Sequence, residues 1–105
     1  MYRSFGTSLH ISTLVAGEIR GNHFHRIKLE VLIIQSTGPW SFHWRSPEND
    51  SSEHRVFASS QTVVIKVDRK CAHAVENTGN GVLQIIGLSN EVHTGLDSFK
   101  SVVTE

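Results

Sequence analysis

The chain has 105 residues and a mass of 11.7 kDa, which is enough for one domain. Its ten Lys and Arg residues balance ten Asp and Glu residues, and this excludes a broad basic surface for nonspecific binding to nucleic acid. The longest apolar run, Val31 to Ile34, is far shorter than the ~18–20 residues of a membrane helix. No signal-peptide pattern follows Met1. Cys71 is the only cysteine, so intrachain disulfides are excluded, and we expect a soluble, cytoplasmic protein without membrane or nucleic-acid partners.

Short apolar segments with a period of two recur along the chain and are separated by turn-forming residues. The predicted strands are residues 11–15, the segment around 23–25, and 29–34, 40–45, 56–58, 62–67, 73–76 and 82–88. Seven or eight short strands in about 100 residues are typical of a small β-sandwich or barrel, and the predicted fold class is all-β. We expect one domain over residues 1–105, with a barrel core at about 9–90 and a tail at 91–105. In that tail Leu96, Phe99 and Val103 suit one short helix.

Seven histidines are present, and two of them are separated by a single residue. On a strand, side chains at positions i and i+2 point to the same face, so His23 and His25 project side by side, ~7 Å apart. Glu30 follows a predicted turn at 26–27 and returns beside the histidines if the two strands pair. His73 is a fourth candidate ligand. Three imidazoles and one carboxylate suit a divalent ion such as Zn, Fe, Mn, Ni or Co, with one or two coordination positions open.

This segment resembles the first sequence motif of the cupin family, Gly-x5-His-x-His-x3/4-Glu-x6-Gly. The matching positions here are Gly17, His23, His25 and Glu30, and the closing Gly38 comes one residue late. The resemblance spans about residues 11–90. It implies a small antiparallel double-sheet, or jelly-roll, barrel that holds a metal ion inside.

The second cupin motif, Gly-x5-Pro-x-Gly-x2-His-x3-Asn, is only partly kept. His73 and Asn77 match it, whereas Asp68 and Lys70 stand where Pro and Gly are expected. The turn before His73 is therefore expected to be built differently. The resemblance implies that His73 is the fourth metal ligand.

A closer similarity is to the metal-binding cupin domain of capsular polysaccharide enzymes that act on nucleotide-linked 4-keto sugars. It rests on Gly21-Asn22-His23-Phe24-His25, Lys28-Leu29-Glu30, Asn90-Glu91 and Asp97. The resemblance implies epimerase or isomerase chemistry on a nucleotide-linked keto sugar. It also implies one divalent transition metal per chain, with zinc as the first candidate, and a homodimer.

Further candidate residues for the reaction come from side chains near these motifs. Lys28 shares the strand parity of Glu30, and Lys28 or His43 is the candidate acid or base. Arg20 and Arg45 are candidates for binding a substrate phosphate. His43 and Arg45 lie on the strand face opposite Trp40 and the other aromatic residues, and the sequence does not decide which face is the interior. His10, His54 and His93 are interpreted as surface or loop residues.

Alternative interpretations remain open. Cys71 is either a buried small hydrophobe or a fifth ligand. The chain is either an enzyme or a noncatalytic metal-binding module that binds a small molecule or assists assembly. With iron, the same ligand set would suit a small-molecule dioxygenase. A pocket that admits a sugar would favour the enzyme, whereas a filled pocket lined by Trp and Phe would favour the module.

Overall fold

In a computed structural model of the chain, the described residues are 8–58, 61–90 and 95–104. They form nine strands and one 3-10 turn, Gly95–Asp97. The strands are β1 Ser8–Leu14, β2 Ile19–Phe24, β3 Glu30–Ser36, β4 Trp40–Arg45, β5 Glu53–Phe57, β6 Thr62–Val67, β7 Ala72–Glu76, β8 Leu83–Ser89 and β9 Phe99–Lys100. The all-β prediction is confirmed. No helix among these residues has the length and apolar character needed to span a bilayer.

The strands form two antiparallel sheets that face each other, as expected for a jelly-roll barrel. One sheet has four strands in the order β1-β8-β3-β6, and the other has five in the order β5-β4-β7-β2-β9. Alternate residues of each strand point into the space between the sheets. The apolar core lies there and includes Leu14, Ile34, Trp40, Leu83 and Ile85, all at most 4 % exposed.

Strand β4 shows which of its two faces lies inside the barrel. Trp40 is fully buried and stacks on Phe57 at 4.4 Å between ring centroids, while Phe42 belongs to the same core. Because neighbouring residues of a strand point to opposite faces, His43 and Arg45 lie on the outer face of the five-stranded sheet. The structure thus settles the choice that the sequence left open.

The tail does not form the expected helix in the residues described. After the 3-10 turn, β9 pairs with β2, and the Ser101 amide donates to the Asn22 carbonyl at 2.8 Å. Val103 then packs on Ala72 and Ala74 against the outer face of β7. Because the backbone of this segment bonds to a sheet edge and its apolar side chains cover a sheet face, a helix would lose both contacts. Residues 91–94 and 105 lie outside the described part of the tail.

Candidate metal centre

A β-bulge in β2 brings its histidine opposite β7. The register of the two strands shifts between Gly21 and His23, and Asn22 between them has φ 58°. Gly21 has φ 120°, and a Cβ there would lie 2.5 Å from the His73 carbonyl oxygen, so only glycine permits this close approach. As a result His23 stands directly across from His73, and the two side chains project from the same sheet face.

Glu30 reaches the histidines by a route that strand pairing does not provide. Its strand, β3, pairs with β6 and β8 in the four-stranded sheet, whereas β2 belongs to the five-stranded sheet. The sequence analysis expected Glu30 to come beside the histidines through pairing of its strand with that of His23, and this route is wrong. The carboxylate instead crosses the interior from the facing sheet, because Glu30 has the inward parity of Leu32 and Ile34.

The four side chains converge inside the barrel. One ligand atom from each of His23, His25, Glu30 and His73 lies within 4.8 Å of all the others. Glu30 Oε1 is 3.1 Å from His25 Nε2 and 3.4 Å from His73 Nε2. His25, Glu30 and His73 are at most 4 % exposed. A group of this kind can hold a metal ion.

Backbone carbonyl groups fix the tautomers of two of these rings. His25 Nδ1 lies 2.6 Å from the Asp97 carbonyl oxygen, and His73 Nδ1 lies 3.0 Å from that of Cys71. A carbonyl oxygen only accepts, so each Nδ1 carries the proton. In the neutral imidazole, Nε2 then presents a lone pair to the Glu30 carboxylate. A cation between these atoms resolves the conflict, and metal-bound histidines commonly show this outer hydrogen bond, so the residues present fit a divalent ion.

The electrostatics of the cluster keep it ready for a cation. Burial and the neighbouring His73 and His25 lower the pKa of His23 from 6.5 to about 4. Burial alone would raise the pKa of Glu30, but the neighbouring His25, His73 and Lys28 outweigh it and hold that pKa far below its ordinary value. Lys28 is buried beside the carboxylate, with Nζ 3.7 Å from Glu30 Oε2.

Asp97 organises the loop between β2 and β3. Its carboxylate accepts hydrogen bonds from the backbone amides of Arg26, Ile27 and Lys28 at 2.9–3.3 Å. Its carbonyl oxygen accepts from His25. Burial would raise the pKa of Asp97, but these amide bonds lower it overall. One residue of the tail thus holds both a candidate ligand and the loop that follows it.

The turn of the second motif keeps the backbone conformation that a glycine would allow, although lysine stands at that position. Lys70 has φ 66°, the left-handed conformation that glycine adopts most readily. Its amide donates to the His25 carbonyl, so the turn still contacts the ligand loop. Asn77 is buried, and its amide nitrogen donates to the carbonyls of Leu14 and Gly81. Cys71 packs against the apolar core, and burial raises the pKa of its thiol.

A small cavity of about 60 Å³ opens beside the cluster. His23, Glu30 and His73 line it together with His10, Ser12 and Arg20. The sequence analysis missed His10, although the period-two pattern that puts Ser12 and Leu14 inside also puts His10 there. Gly87 lies opposite His10, and a Cβ on Gly87 would lie 2.3 Å from the His10 ring. The imidazole of His10 therefore occupies the space that is open because Gly87 has no side chain.

Two of the other predicted site residues do not face the cluster. His43 lies on the outer sheet face, where its Nε2 is 2.9 Å from Glu76 Oε1. Arg45 lies on the same face and bonds to the Val102 carbonyl at 3.3 Å and to the Ser101 hydroxyl. Lys28 contacts Glu30 Oε2 and is not among the residues lining the cavity. Arg20 is the only one of these four residues that lines it.

Known structures share this fold. The capsular polysaccharide assembling protein CapF from Staphylococcus aureus matches with a TM-score of 0.75 and 24 % identity, over 92 % of this chain and 27 % of its own. A mutant of the 3,4-ketoisomerase QdtA from Thermoanaerobacterium thermosaccharolyticum, in complex with TDP-4-keto-6-deoxyglucose, matches with a TM-score of 0.69 and 16 % identity, over 90 % of this chain and 65 % of its own. An oxalate oxidase in complex with glycolate matches with a TM-score of 0.68 and 20 % identity, over 86 % of this chain and 44 % of its own.

The chain thus spans about a quarter of CapF and about two thirds of QdtA. No curated protein matches its sequence. The model of the polysaccharide biosynthesis C-terminal domain family matches residues 3–98, nearly the whole chain. Together with the two facing sheets, this match confirms the resemblance to the cupin domain of capsular polysaccharide enzymes. The chain belongs to the polysaccharide biosynthesis C-terminal domain family and has the cupin fold.

Proposed function

We propose that the chain is a metal-dependent cupin domain that acts on a nucleotide-linked keto sugar by epimerase or isomerase chemistry. The observation that carries this proposal is the convergence of His23, His25, Glu30 and His73 beside a cavity that also holds His10 and Arg20. The fold shared with QdtA, a ketoisomerase that binds a 4-keto sugar nucleotide, supports the same class of substrate.

The residues around the cavity have separate roles in this proposal. A divalent ion in the four-ligand site, zinc first, would act as a Lewis acid that polarises the sugar carbonyl. His10 accepts the proton on the carbon next to that carbonyl. In ketoisomerisation it returns this proton to the former carbonyl carbon, while the proton of the neighbouring hydroxyl group moves to the former carbonyl oxygen. In epimerisation a water molecule protonates the first carbon from the other face and His10 releases its proton to solvent. The exposed guanidinium of Arg20 binds the substrate diphosphate. Lys28 balances the buried charge of Glu30 and so helps to position it.

The test follows hydrogen exchange in TDP-4-keto-6-deoxyglucose by proton NMR in deuterium oxide, with metal content measured on the same samples. We expect deuterium to enter next to the carbonyl only with metal-loaded protein. His10→Asn is expected to keep its metal and to lose exchange at least ~100-fold, the scale of general base catalysis. His54→Asn, at an exposed position on β5, is the matched control. Full exchange in the metal-free variant His23→Ala/His73→Ala would contradict the proposal.

Gly87→Ala tests the placement of His10 without removing any reactive group. The added methyl group would collide with the imidazole, so we expect exchange to fall in the otherwise unchanged protein. In a His10→Asn background the imidazole is already absent, so the same substitution should cause no further loss of exchange. Equal losses in both backgrounds would show that Gly87 acts through the sheet rather than through His10.

A second candidate function rests on the size of the cavity. At about 60 Å³ it is far smaller than the ~300–1,000 Å³ of typical ligand sites. This favours a noncatalytic domain that binds a metal and supports a partner enzyme. Stoichiometric metal without any exchange of the keto sugar would favour this function over the first.

We also propose that two copies pair through the outer face of the four-stranded sheet. Cross-strand rows place seven apolar side chains there, namely Leu9, Leu88, Val31, Ile11, Ile86, Ile33 and Val64. Leu9, Ile11 and Val64 are about 60 % exposed, and Lys66 is the one charged residue in these rows. A second copy presents the same charge-poor face, so two sheets can pack with their apolar rows together.

Light scattering should give the mass of a dimer for the unmodified chain and of a monomer for Val64→Glu. A monomeric unmodified chain would show that this face is covered by something other than a second copy.

A further inference from the structure

A larger cavity lies on the other side of the five-stranded sheet from the histidines. It has a volume of about 480 Å³ and is formed where the loops after β2, β4 and β6 meet the tail. Phe24, Arg45 and Ala72 reach it from the sheet. All three have the outward parity, since their strand neighbours His23, Trp44 and His73 face the interior. This space is therefore separate from the metal centre.

The charge of this outer cavity is positive. Arg26, Arg45 and Lys70 line it, and none of its lining residues is acidic. Asp97 is near Arg26 in space, but its carboxylate accepts from the three backbone amides of the loop. Glu48 and Asp68 line a neighbouring cavity instead. Because the chain as a whole has no net charge, this local excess of cations is not part of a general basic surface.

Two of the cations are held in place by their neighbours. The Arg45 guanidinium donates to the Val102 carbonyl and the Ser101 hydroxyl. The Arg26 guanidinium lies 4.4 Å from the Phe99 ring centroid, within the range of a cation–π contact. Fixing these long side chains in advance reduces the entropy that a ligand would otherwise lose on ordering them.

We propose that this outer cavity binds a phosphate-bearing anion of about the size of a diphosphate group. Arginine presents a planar set of N–H donors that matches phosphate oxygens in pairs, and Lys70 adds a third positive charge at the rim. The Ser101 hydroxyl and the Asn49 side chain lie in the same lining and offer neutral hydrogen-bond partners. This inference does not depend on the chemistry proposed for the metal centre.

The test is calorimetric titration of the protein with inorganic pyrophosphate at low ionic strength. We expect binding that weakens at least ~10-fold in Arg26→Met/Arg45→Met, because each methionine keeps an unbranched stem and removes the charge. It should also weaken as salt increases. Arg55→Met, on β5 and outside the lining of this cavity, is the matched control and should not change the affinity. An Arg20→Met protein that loses binding would place the anion inside the barrel and overturn the proposal.

Arg45 also donates hydrogen bonds to Ser101 and Val102 of the tail, so its variant is expected to be less stable. A second measurement therefore uses the unmodified chain. Amide NMR signals should shift on addition of pyrophosphate at Asn49, Lys70 and Ser101, and remain unchanged at Val56 on β5 and Gln84 on β8, which line neither cavity. His23→Ala/His73→Ala, which lacks two candidate metal ligands, should show the same shifts. The proposal is wrong if no shift occurs at millimolar pyrophosphate, or if the shifts require the histidines.

Discussion

The apolar half of the barrel interior is held by side-chain packing, whereas the histidine half is held by hydrogen bonds from outside it. Around Trp40, Leu14, Ile34 and Leu83, each side chain is almost fully enclosed by other apolar groups. Around Glu30, in contrast, the carbonyls of Asp97 and Cys71 orient the rings, and Lys28 balances the charge. Both halves lie between the same two sheets.

The difference shows how one small barrel combines stability with a polar site. Burial of apolar surface supplies most of the folding free energy, and buried charged groups add little to it unless they are well paired. Changes in the apolar half should therefore lower stability and leave the metal centre intact. Changes in the histidine half and its supports should affect metal binding more than folding.

The largest effect is expected from Trp40→Ala, which empties space in the apolar half. Removing a fully buried aromatic ring typically costs ~3–5 kcal/mol of unfolding free energy, to be measured by urea denaturation. Metal content per folded chain should stay the same. Val56→Ala, at an exposed position on β5, should change stability by less than ~0.5 kcal/mol. Loss of metal from folded Trp40→Ala protein would show that the two halves are coupled.

Asp97→Asn should separate the histidine half from the core. The amide keeps the size of the side chain but accepts only through one oxygen, so the loop after His25 loses part of its support. We expect metal affinity to fall ~10–100-fold, as for other outer-sphere positions, in a competition titration with a chelator. Asn90→Ala removes a bond to Leu29 in the same loop and should change the affinity by less than ~3-fold. Equal losses would point to loop flexibility alone.

The pH dependence of the metal-free protein should come from the histidine half. His23 has a pKa lowered to about 4 in the fold, against 6.5 ordinarily, so the unfolded chain binds more protons between these values. The unfolding free energy should therefore fall as pH decreases from 6.5 towards 4, and Glu30 extends this loss below its ordinary value of 4.5. His23→Ala should flatten the decrease, while exposed His54→Ala should leave it. An unchanged slope in His23→Ala would contradict this assignment.

The smallest effect is expected where a residue has an unfavourable backbone conformation. Lys70→Gly removes the cost of a left-handed lysine, ~1–2 kcal/mol, and adds entropy to the unfolded chain. A net gain of about 0.5–1 kcal/mol in unfolding free energy should result. Asn22 also has a positive φ, but its side chain accepts from the Val103 amide at 2.9 Å. Asn22→Gly should therefore be destabilising, and a gain there would show that the tail contact contributes little.

Strand positions followed from the sequence where one face is apolar and the other polar. Thr62–Val67 and Trp40–Arg45 agree with the predicted bounds, because their alternation reflects burial of one face. Strand β5, in contrast, begins at Glu53 rather than at the predicted residue 56. Its first four residues are exposed, and hydrogen bonds to β4 define it, which no hydrophobic pattern reveals. The helix prediction for the tail was wrong for the same reason. The spacing of Phe99 and Val103 suits a helix, and only the contacts of these residues with the sheet show that the segment is extended.

The sequence by itself determined the all-β class and the types of the candidate ligands, because side-chain period and His-x-His spacing are local properties. Only the tertiary structure decided that Glu30 meets the histidines from the opposite sheet, that His43 faces outward, and that His10 faces the cavity over Gly87. These are relations between strands far apart in the chain. They depend on how the sheets pair and face each other, which no short segment encodes.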